Sequence, residues 1–281
     1  MTADQTALSA ADRAALLDRA RAHRWFHRIR LTPDFETPGP DNTPLKLANL
    51  DALGLPARLD GKRVLDIGAW DGFFAFEMER RGATVVALDH VEAAATGFVI
   101  AGPLLGSRVE WKTGNLYQLD PAEVGTFDIV LCLGVIYHLR HILLGLDRVR
   151  AVMKPGADLF VETAGIENHM LRGDGHFAPM DSFCPEARTA PLVQIYGRGE
   201  LGGDHTNIFV PNLPALEAML HLAEFAMVGA AVAPEGFPSR IIAHARAIDS
   251  PDVARWRDRD MATLPHRGWV QPPDSTPRTR G

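Results

Sequence analysis

Short apolar segments alternate with segments of helical periodicity through the middle of the chain. Apolar runs of strand length lie at residues 63–67, 84–88, 109–112, 127–133 and 158–162. Helices are predicted between them, at residues 71–81, 91–105 and 139–153. Strands that are apolar on both faces are typical of a parallel sheet covered by helices on both sides. The alternation therefore predicts a doubly wound α/β fold.

Helical segments precede this alternation. Residues 7–28 combine apolar residues at helical spacing with charged residues, which predicts an amphipathic helix. A proline-rich connector over 31–44 separates it from a short predicted helix over 46–53. We therefore expect residues 1–58 to form an N-terminal helical cap, and its first helix is a candidate interface for a homodimer.

The alternation breaks after the fifth strand. Residues 163–211 are rich in Gly, Pro, His and acidic residues without sustained periodicity, which predicts an inserted loop or lid. A helix and two apolar strands follow, at residues 213–222, 225–232 and 241–244. Antiparallel pairing of the last two strands would complete a seven-stranded sheet. Residues 59–248 then form the main domain, and the polar tail at 249–281 is expected to be partly disordered.

The composition favours a small-molecule partner over nucleic acid. The chain has 35 acidic and 29 basic side chains and a formal net charge of -6. Basic residues neutralise the phosphates of nucleic acid, so an acidic protein disfavours broad binding to it. Cys132 and Cys184 form neither a disulfide framework nor a zinc motif, which favours a reducing compartment. Without a secretory signal or an apolar stretch of about 20 residues, the sequence predicts a cytoplasmic protein with no membrane span.

A glycine loop follows the first strand of the alternation. Its sequence from residue 66 is DIGAWDG. Glycines allow a sharp turn and close approach to a ligand, so Gly68 and Gly72 are expected to contact a cofactor. The middle glycine of a dinucleotide-binding loop is absent, which disfavours a pyrophosphate. Asp66 at the strand end would instead attract an ammonium group.

A second acid lies at the end of the next strand. Asp89 occupies the position at which related sites bind ribose hydroxyls. An ammonium group near Asp66 and a ribose at Asp89 describe S-adenosylmethionine (SAM), and the arrangement resembles the first two motifs of class I SAM-dependent methyltransferases. The resemblance implies a Rossmann-like fold, SAM as the cofactor, and adenine contacts from Asn115 and Leu116. Helix capping by the two aspartates is the structural alternative.

The residues after the fourth strand are expected to face the reacting centre, because ligands of open α/β sheets lie at the carboxyl ends of the strands. They begin with Gly134, an expected cofactor contact, and include Tyr137 and His138. Histidine titrates near neutral pH and suits proton abstraction from a hydroxyl. His138 is therefore the candidate base and Tyr137 a second candidate catalytic residue. A capping or packing role is the alternative for His138.

A narrower resemblance rests on residues 127–138 and on the Gly-Phe-Pro stretch at 236–238 before Arg240. These segments resemble the methyltransferase branch that contains the tRNA wobble-uridine carboxymethyltransferase. The resemblance implies that Tyr137 and Arg240 could hold the carboxylate of carboxy-SAM, although ordinary SAM is the favoured cofactor. The first 58 residues offer no recognisable counterpart of the lysine that the tRNA enzyme adds to that carboxylate.

The insertion is the expected substrate wall, because class I methyltransferases share the cofactor site and select the acceptor through added segments. The candidate acceptor contacts are His169, His176, Asp204, Asn207 and, beyond the insertion, Arg240. His and acidic residues recur in this segment, but none has the spacing of metal ligands, so no metal is expected.

Three functions remain open from the sequence. The first is methyl transfer to a small molecule, with an oxygen acceptor favoured by His138. The second is tRNA modification with SAM or carboxy-SAM, supported by Tyr137, Arg240 and the arginine-rich first helix. The third is a noncatalytic nucleoside-binding protein, which the complete glycine loop disfavours.

Overall fold

The structure is a computed structural model that describes residues 8–183, 185–233, 238–251 and 253. The α-helices are α1 (Ala10–Ala22), α2 (Thr43–Ala52), α3 (Phe73–Arg80), α4 (Phe98–Leu105), α5 (Pro121–Val124), α6 (Ile142–Ala151) and α7 (Leu213–Leu222). The strands up to the insertion are β1 (Arg30–Thr32), β2 (Phe35–Glu36), β3 (Arg63–Ile67), β4 (Thr84–Asp89), β5 (Glu110–Thr113), β6 (Phe127–Leu133) and β7 (Met153–Gly165). The remaining strands are β8 (His169–Leu171), β9 (Phe177–Pro179), β10 (Val193–Ile195), β11 (Phe209–Pro211), β12 (Phe225–Ala233) and β13 (Ser239–Ala247).

Seven strands form the central sheet in the order β12-β13-β7-β6-β3-β4-β5. β3 to β7 run parallel, whereas β13 pairs antiparallel with β7 and β12 antiparallel with β13. In this register Ile67 lies beside Leu88 and Cys132, so that the carboxyl ends of β3, β4 and β6 meet at one edge. The doubly wound fold and the antiparallel last pair predicted from the sequence are confirmed.

Apolar side chains pack against both faces of the sheet. Within β3, Leu65 and Ile67 belong to one core cluster, whereas Val64 belongs to the other. Helices α6 and α7 cover the first face with residues such as Leu146 and Leu216, which are fully buried. Full burial of one such side chain contributes about 1.5–3 kcal/mol. Burial on both sides explains why the central strands β3, β4 and β6 are mostly apolar instead of alternating.

The N-terminal segment differs from the sequence prediction in where its first helix ends. α1 ends at Ala22 because His23 is extended, with φ -75° and ψ 145°. Trp25 then turns into the core, where it is 4% exposed and its Nε1 donates to the Ala20 carbonyl at 2.7 Å. The connector predicted for 31–44 contains the β1–β2 hairpin, whose strands are too short to show a period.

The helix predicted for residues 91–105 is also shorter than expected. Thr96 is extended, with φ -115° and ψ 173°, and α4 begins at Phe98. A Cβ on Gly97 would lie 2.2 Å from the Trp25 ring, so the approach of the N-terminal segment requires glycine there. The interruption therefore depends on a contact between segments that are distant in sequence.

The insertion has more structure than its lack of periodicity indicated. Strand β7 continues to Gly165, and the pairs β8–β9 and β10–β11 form two small antiparallel sheets. A separate small core holds these pieces together, with Tyr196 at 1% exposure as its largest member. Strands of three residues are too short for a periodic signal, so the sequence pattern could not indicate them.

The described residues between 8 and 248 form one compact unit. The tail predicted for 249–281 lies almost entirely outside the described residues. The division of the chain into an N-terminal cap at 1–58 and a main domain at 59–248 stays a prediction. No helix in the described ranges combines the length and apolar character needed to cross a bilayer.

Candidate functional site

Asp66 is the penultimate residue of β3, close to the carboxyl edge of the sheet. It is 2% exposed, and its Oδ2 has no hydrogen-bond partner among the described residues. Burial raises the pKa of Asp66 to about 7; the Ala75 backbone N–H opposes that shift and the charge of Asp89 adds to it. A buried acceptor without a donor costs free energy, and a bound ammonium group would supply the missing donor.

Asp89 ends β4, next to the glycine loop. Its Oδ2 accepts the Trp70 N–H at 3.0 Å, and its Oδ1 accepts the Val91 N–H at 3.0 Å. The exposed His90 ring also contacts Oδ1, with Nδ1 at 3.1 Å. Each carboxylate oxygen accepts about two hydrogen bonds, so this orientation leaves capacity for ribose hydroxyls. Trp70 occupies the middle-glycine position with φ 48°, which is uncommon for a side chain of this size.

Three glycines of the candidate cofactor site have positive φ, namely Gly68 at 75°, Gly72 at 88° and Gly134 at 76°. A Cβ on Gly68 would lie 2.6 Å from Val135 Cγ2, so glycine lets the loop after β3 approach the loop after β6. A Cβ on Gly72 would instead collide with the Phe98 ring at 2.6 Å, so tight packing against Phe98 requires glycine at this position. Gly134 has more room, since its Cβ would lie 3.7 Å from the Tyr137 hydroxyl.

Asp71 is a buried residue of the glycine loop that the sequence interpretation did not single out. Its Oδ2 accepts the backbone N–H groups of Phe26 at 2.8 Å and His27 at 3.0 Å, and its Oδ1 accepts that of Gly97 at 2.8 Å. Asp71 is fully buried. It therefore ties the N-terminal segment and the start of α4 to the loop, a role that no sequence pattern indicated.

The two residues expected at the adenine follow β5. Leu116 is 7% exposed and packs into the main core, so its backbone is the part that could face a ligand. Asn115 is exposed, and its Oδ1 accepts the Tyr117 N–H at 3.0 Å. That bond leaves the amide nitrogen of Asn115 as the group suited to a ligand contact. The adenine roles of both residues stay predictions.

His138 ends a short 3-10 helix, Ile136–His138, that follows β6. Its Nδ1 lies 2.9 Å from Thr206 Oγ1 and 3.2 Å from the Thr206 carbonyl oxygen. Burial lowers the pKa of His138 below its ordinary value, and Arg240 and His90 add to that effect, whereas the Thr206 carbonyl and Asp204 oppose it. The ring is therefore neutral at neutral pH and able to accept a proton.

Arg240 forms a two-point ion pair with Glu162 at the end of β7. Its Nη2 donates to Oε2 at 2.6 Å, its Nε donates to Oε1, and Glu162 is 1% exposed. Burial alone would raise the pKa of Glu162, but the charge and hydrogen bonds of Arg240 hold it below its ordinary value. The Tyr137 ring faces the guanidinium, with its centroid 5.1 Å from Arg240 Cζ. Tyr137, Glu162 and Arg240 thus form one cluster, and its paired charges sum to zero.

A lysine from the N-terminal segment approaches this cluster. Lys46 in α2 is close enough for its charge to help lower the pKa of Glu162. Its Nζ contacts Asp41 Oδ1 at 2.7 Å. The sequence interpretation found no such lysine in the first 58 residues, because only the folded path of the chain brings α2 near the end of β7.

A cavity of about 380 Å³ lies beside Tyr137, between the sheet edge and the insertion. Its walls are Tyr137, Ala164, Phe177, Glu200, Leu201, Gly202, Asn207, Pro238 and Arg240. Asn207 Nδ2 donates to the Leu201 carbonyl at 2.8 Å, which fixes the direction of the amide group. Asn207 Oδ1 is buried and accepts no hydrogen bond from the described part of the chain. Asn207 therefore contributes an amide group of fixed direction to the cavity wall.

The other acceptor candidates of the insertion are spread out. His169 lies in β8 and the exposed His176 precedes β9, and neither is among the described residues that line the cavity. Asp204 interacts with Thr206, a residue that the sequence interpretation missed. Cys184 and the Gly236–Phe237 part of the Gly-Phe-Pro stretch lie outside the described residues. Where the side chains are described, no three His, Cys, Asp or Glu residues are grouped as metal ligands.

Known proteins are similar in sequence to parts of this chain. A profile described as a methyltransferase domain matches residues 41–229. The ubiquinone biosynthesis O-methyltransferase of Hahella chejuensis is 35% identical over 142 residues, which cover 50% of this chain and 57% of that protein. The tRNA U34 carboxymethyltransferase of Methylococcus capsulatus is 29% identical over 176 residues, or 61% of this chain and 47% of that protein. The chain thus spans about half the length of the curated relatives it matches.

Solved structures share the fold. The 1,6-didemethyltoxoflavin-N1-methyltransferase of Burkholderia thailandensis, solved with S-adenosylhomocysteine, superposes with a TM-score of 0.51 at 18% identity. That match covers 88% of this chain and 93% of the solved one. The family profile covers well over half of the chain and includes the glycine loop, Asp89 and His138. The chain therefore belongs to the methyltransferase domain family and has the fold of the SAM-dependent methyltransferases, as its sequence predicts.

Proposed function

We propose that this protein transfers a methyl group from SAM to an oxygen atom of a small-molecule acceptor, with His138 as the base. The observation that carries the proposal is the cavity beside Tyr137, which the insertion encloses close to the carboxyl ends of the strands. Its volume of about 380 Å³ is within the range of small-molecule sites. A polynucleotide would instead need an extended basic surface.

The residues of the sheet edge suit SAM. When bound, SAM supplies a methyl group that is activated by a positively charged sulfur. Asp66 would bind the ammonium group through its buried Oδ2, and Asp89 would accept hydrogen bonds from the ribose hydroxyls. Gly68 lets the loop after β3 lie against the loop after β6, because a side chain there would collide with Val135, and both loops thus stay at the cofactor edge.

His138 has the properties of a general base. Its Nδ1 faces two oxygen atoms of Thr206, so the lone pair of the neutral ring is on Nε2. Its lowered pKa keeps the ring neutral at pH 7. An acceptor hydroxyl would pass its proton to Nε2 as its oxygen forms the new bond, and an oxygen acceptor gains most from such a base.

The cavity also limits the chemistry of the acceptor. Asn207 Oδ1 calls for a donor, which a hydroxyl or N–H group of the acceptor would provide. Phe177 and Leu201 offer apolar contact to a ring or short chain. Because Glu162 neutralises the charge of Arg240, binding in the cavity does not require a negatively charged acceptor. An uncharged acceptor about the size of one or two rings fits these walls.

The acceptor class is tested by incubating the full chain with methyl-tritiated SAM. One set of reactions contains a panel of uncharged phenols, catechols and sugars, and a matched set contains bulk tRNA. We expect label in a small-molecule product and none in tRNA. Label in tRNA alone, lost on raising the salt concentration, would contradict the small-molecule proposal.

The second candidate function is carboxymethyl transfer to tRNA, which the position of Lys46 favours. Arg240 pairs with Glu162, the charge of Lys46 also acts on Glu162, and the Tyr137 ring faces Arg240, so these three residues could together hold a carboxylate. Calorimetry with SAM and with carboxy-SAM separates the two candidates. We expect SAM to bind at least as tightly, because Arg240 is already neutralised. Tighter binding of carboxy-SAM that Arg240→Met and Lys46→Met both abolish would favour the second candidate.

SAM affinity is expected to rise with pH because of Asp66. An ionised carboxylate binds an ammonium group, and Asp66 ionises with a pKa of about 7 in the unliganded protein. Between pH 6 and 7.5 the association constant should increase roughly fivefold to tenfold, as measured by calorimetry. Asp66→Asn should bind weakly at every pH, whereas the exposed Asp60→Asn should behave like the wild type. An association constant that falls over this interval would exclude this role of Asp66.

A further inference from the structure

We propose that Thr206 and Asp204, both from the insertion, are positioning residues that fix the tautomer and orientation of the His138 ring. The insertion would then orient the base, His138, as well as form part of the acceptor site. This inference rests on the proposed function, in which His138 accepts a proton. It also changes the expected role of Asp204, from contacting the acceptor to acting through Thr206.

The contacts form a chain from the carboxylate to the ring. The Thr206 hydroxyl donates to Asp204 Oδ1 at 2.7 Å, and the Thr206 backbone N–H donates to the same oxygen at 2.8 Å. His138 Nδ1 lies 2.9 Å from the Thr206 hydroxyl oxygen. These distances are within the range of good hydrogen bonds.

The direction of each hydrogen bond follows from what each atom can do. The single proton of the Thr206 hydroxyl goes to Asp204, so its oxygen acts as an acceptor toward His138. The Thr206 carbonyl, 3.2 Å from Nδ1, can only accept. Both partners therefore require a proton on Nδ1, and in the neutral ring the free lone pair is on Nε2.

The backbone holds this part of the insertion against the loop that carries His138. The Ile208 N–H donates to the Tyr137 carbonyl at 2.9 Å, and the Tyr196 N–H donates to the Ile208 carbonyl at 2.8 Å. Asn207 is bound to Leu201 in turn. Thr206 is therefore placed by residues on both sides, although Asp204 and Thr206 are exposed themselves.

Nearby charges also act on the ring, and one of them is the carboxylate of Asp204 in this chain of contacts. Arg240 from β13 and His90 after β4 disfavour the protonated ring, and Asp204 favours it. Hydrogen bonding from Nδ1 is stronger when the ring is charged. Loss of the Thr206 hydroxyl is therefore expected to lower the pKa of His138 further, and so to move the acid limb of the rate profile to lower pH.

The test uses two substitutions at one position. Thr206→Val keeps the shape and removes the hydroxyl, whereas Thr206→Ser keeps the hydroxyl. In protein labelled with 15N-histidine, the ring nitrogens of His138 report the tautomer and the pKa, and His138→Gln assigns its signals. Thr189→Val, which removes another exposed threonine hydroxyl of the insertion, is the matched control.

We expect the wild-type ring to carry its neutral-form proton on Nδ1. In Thr206→Val the Nε2–H tautomer should become detectable, and the pKa should fall by roughly half a unit to one unit. The value of kcat should fall roughly tenfold, since a displaced base is inefficient. Thr206→Ser and Thr189→Val should match the wild type, and Asp204→Asn should lower the pKa in the same direction.

Two results would overturn the proposal. One is a wild-type ring with its proton on Nε2, and the other is a Thr206→Val spectrum and pKa identical to the wild type. Failure of the proposed function gives a different result. His138→Gln would then transfer methyl groups at the wild-type rate, whereas the spectra of the wild-type protein would still show the proton of His138 on Nδ1.

Discussion

Replacement of Asp71 by alanine is expected to lower the free energy of unfolding by at least about 3 kcal/mol. The carboxylate accepts three backbone N–H groups, those of Phe26, His27 and Gly97, in a fully buried position. Alanine would leave all three donors without a partner, and each such loss costs about 1–3 kcal/mol. Urea unfolding followed by circular dichroism measures the change.

Asp60→Ala is the matched control for Asp71→Ala. Asp60 is exposed and contacts only the exposed Arg58 among the ion pairs described, so its loss should leave the free energy of unfolding close to the wild-type value. Asp71→Ala should also weaken SAM binding, since the glycine loop is anchored by the same three bonds. An Asp71→Ala protein as stable as the Asp60→Ala protein would show that solvent replaces these bonds.

Replacement of His138 by glutamine is expected to lower kcat by roughly 10²- to 10⁴-fold, the usual contribution of a general base. Glutamine can occupy much of the same space but cannot accept a proton at neutral pH. The dissociation constant of SAM should remain near the wild-type value, because His138 faces the acceptor in our proposal. Formation of S-adenosylhomocysteine with the acceptor found in the labelling screen gives kcat, and calorimetry gives the affinity.

His141→Gln is the control for this substitution. His141 is exposed at the start of α6 and packs against the Tyr117 ring at 6.0 Å, so its loss should leave kcat unchanged. An equal rate for His138→Gln and His141→Gln would exclude His138 as the base. The capping or packing role considered from the sequence would then be preferred.

The sequence by itself determined the sheet and the edge of it at which the candidate site residues lie. The alternation of apolar strands and helices is a local pattern that predicts parallel strands, so Asp66, Asp89 and the loop that carries His138 come to the same edge. Gly68 was predictable for a similar reason, since a strand followed by a sharp turn into a helix is encoded within a few residues.

Only the tertiary structure decided which residues that are distant in sequence contact one another. Asp71 and Phe26 are 45 residues apart, His138 and Thr206 are 68 apart, and Arg240 and Glu162 are 78 apart. Thr206 and Lys46 belong to no motif, and the three-residue strands of the insertion leave no periodic pattern. Periodicity reports the local conformation of the backbone, whereas hydrogen bonds and ion pairs depend on where the whole chain passes. For that reason the sequence indicated a cofactor edge and a candidate base, and only the folded chain showed which residues contact them.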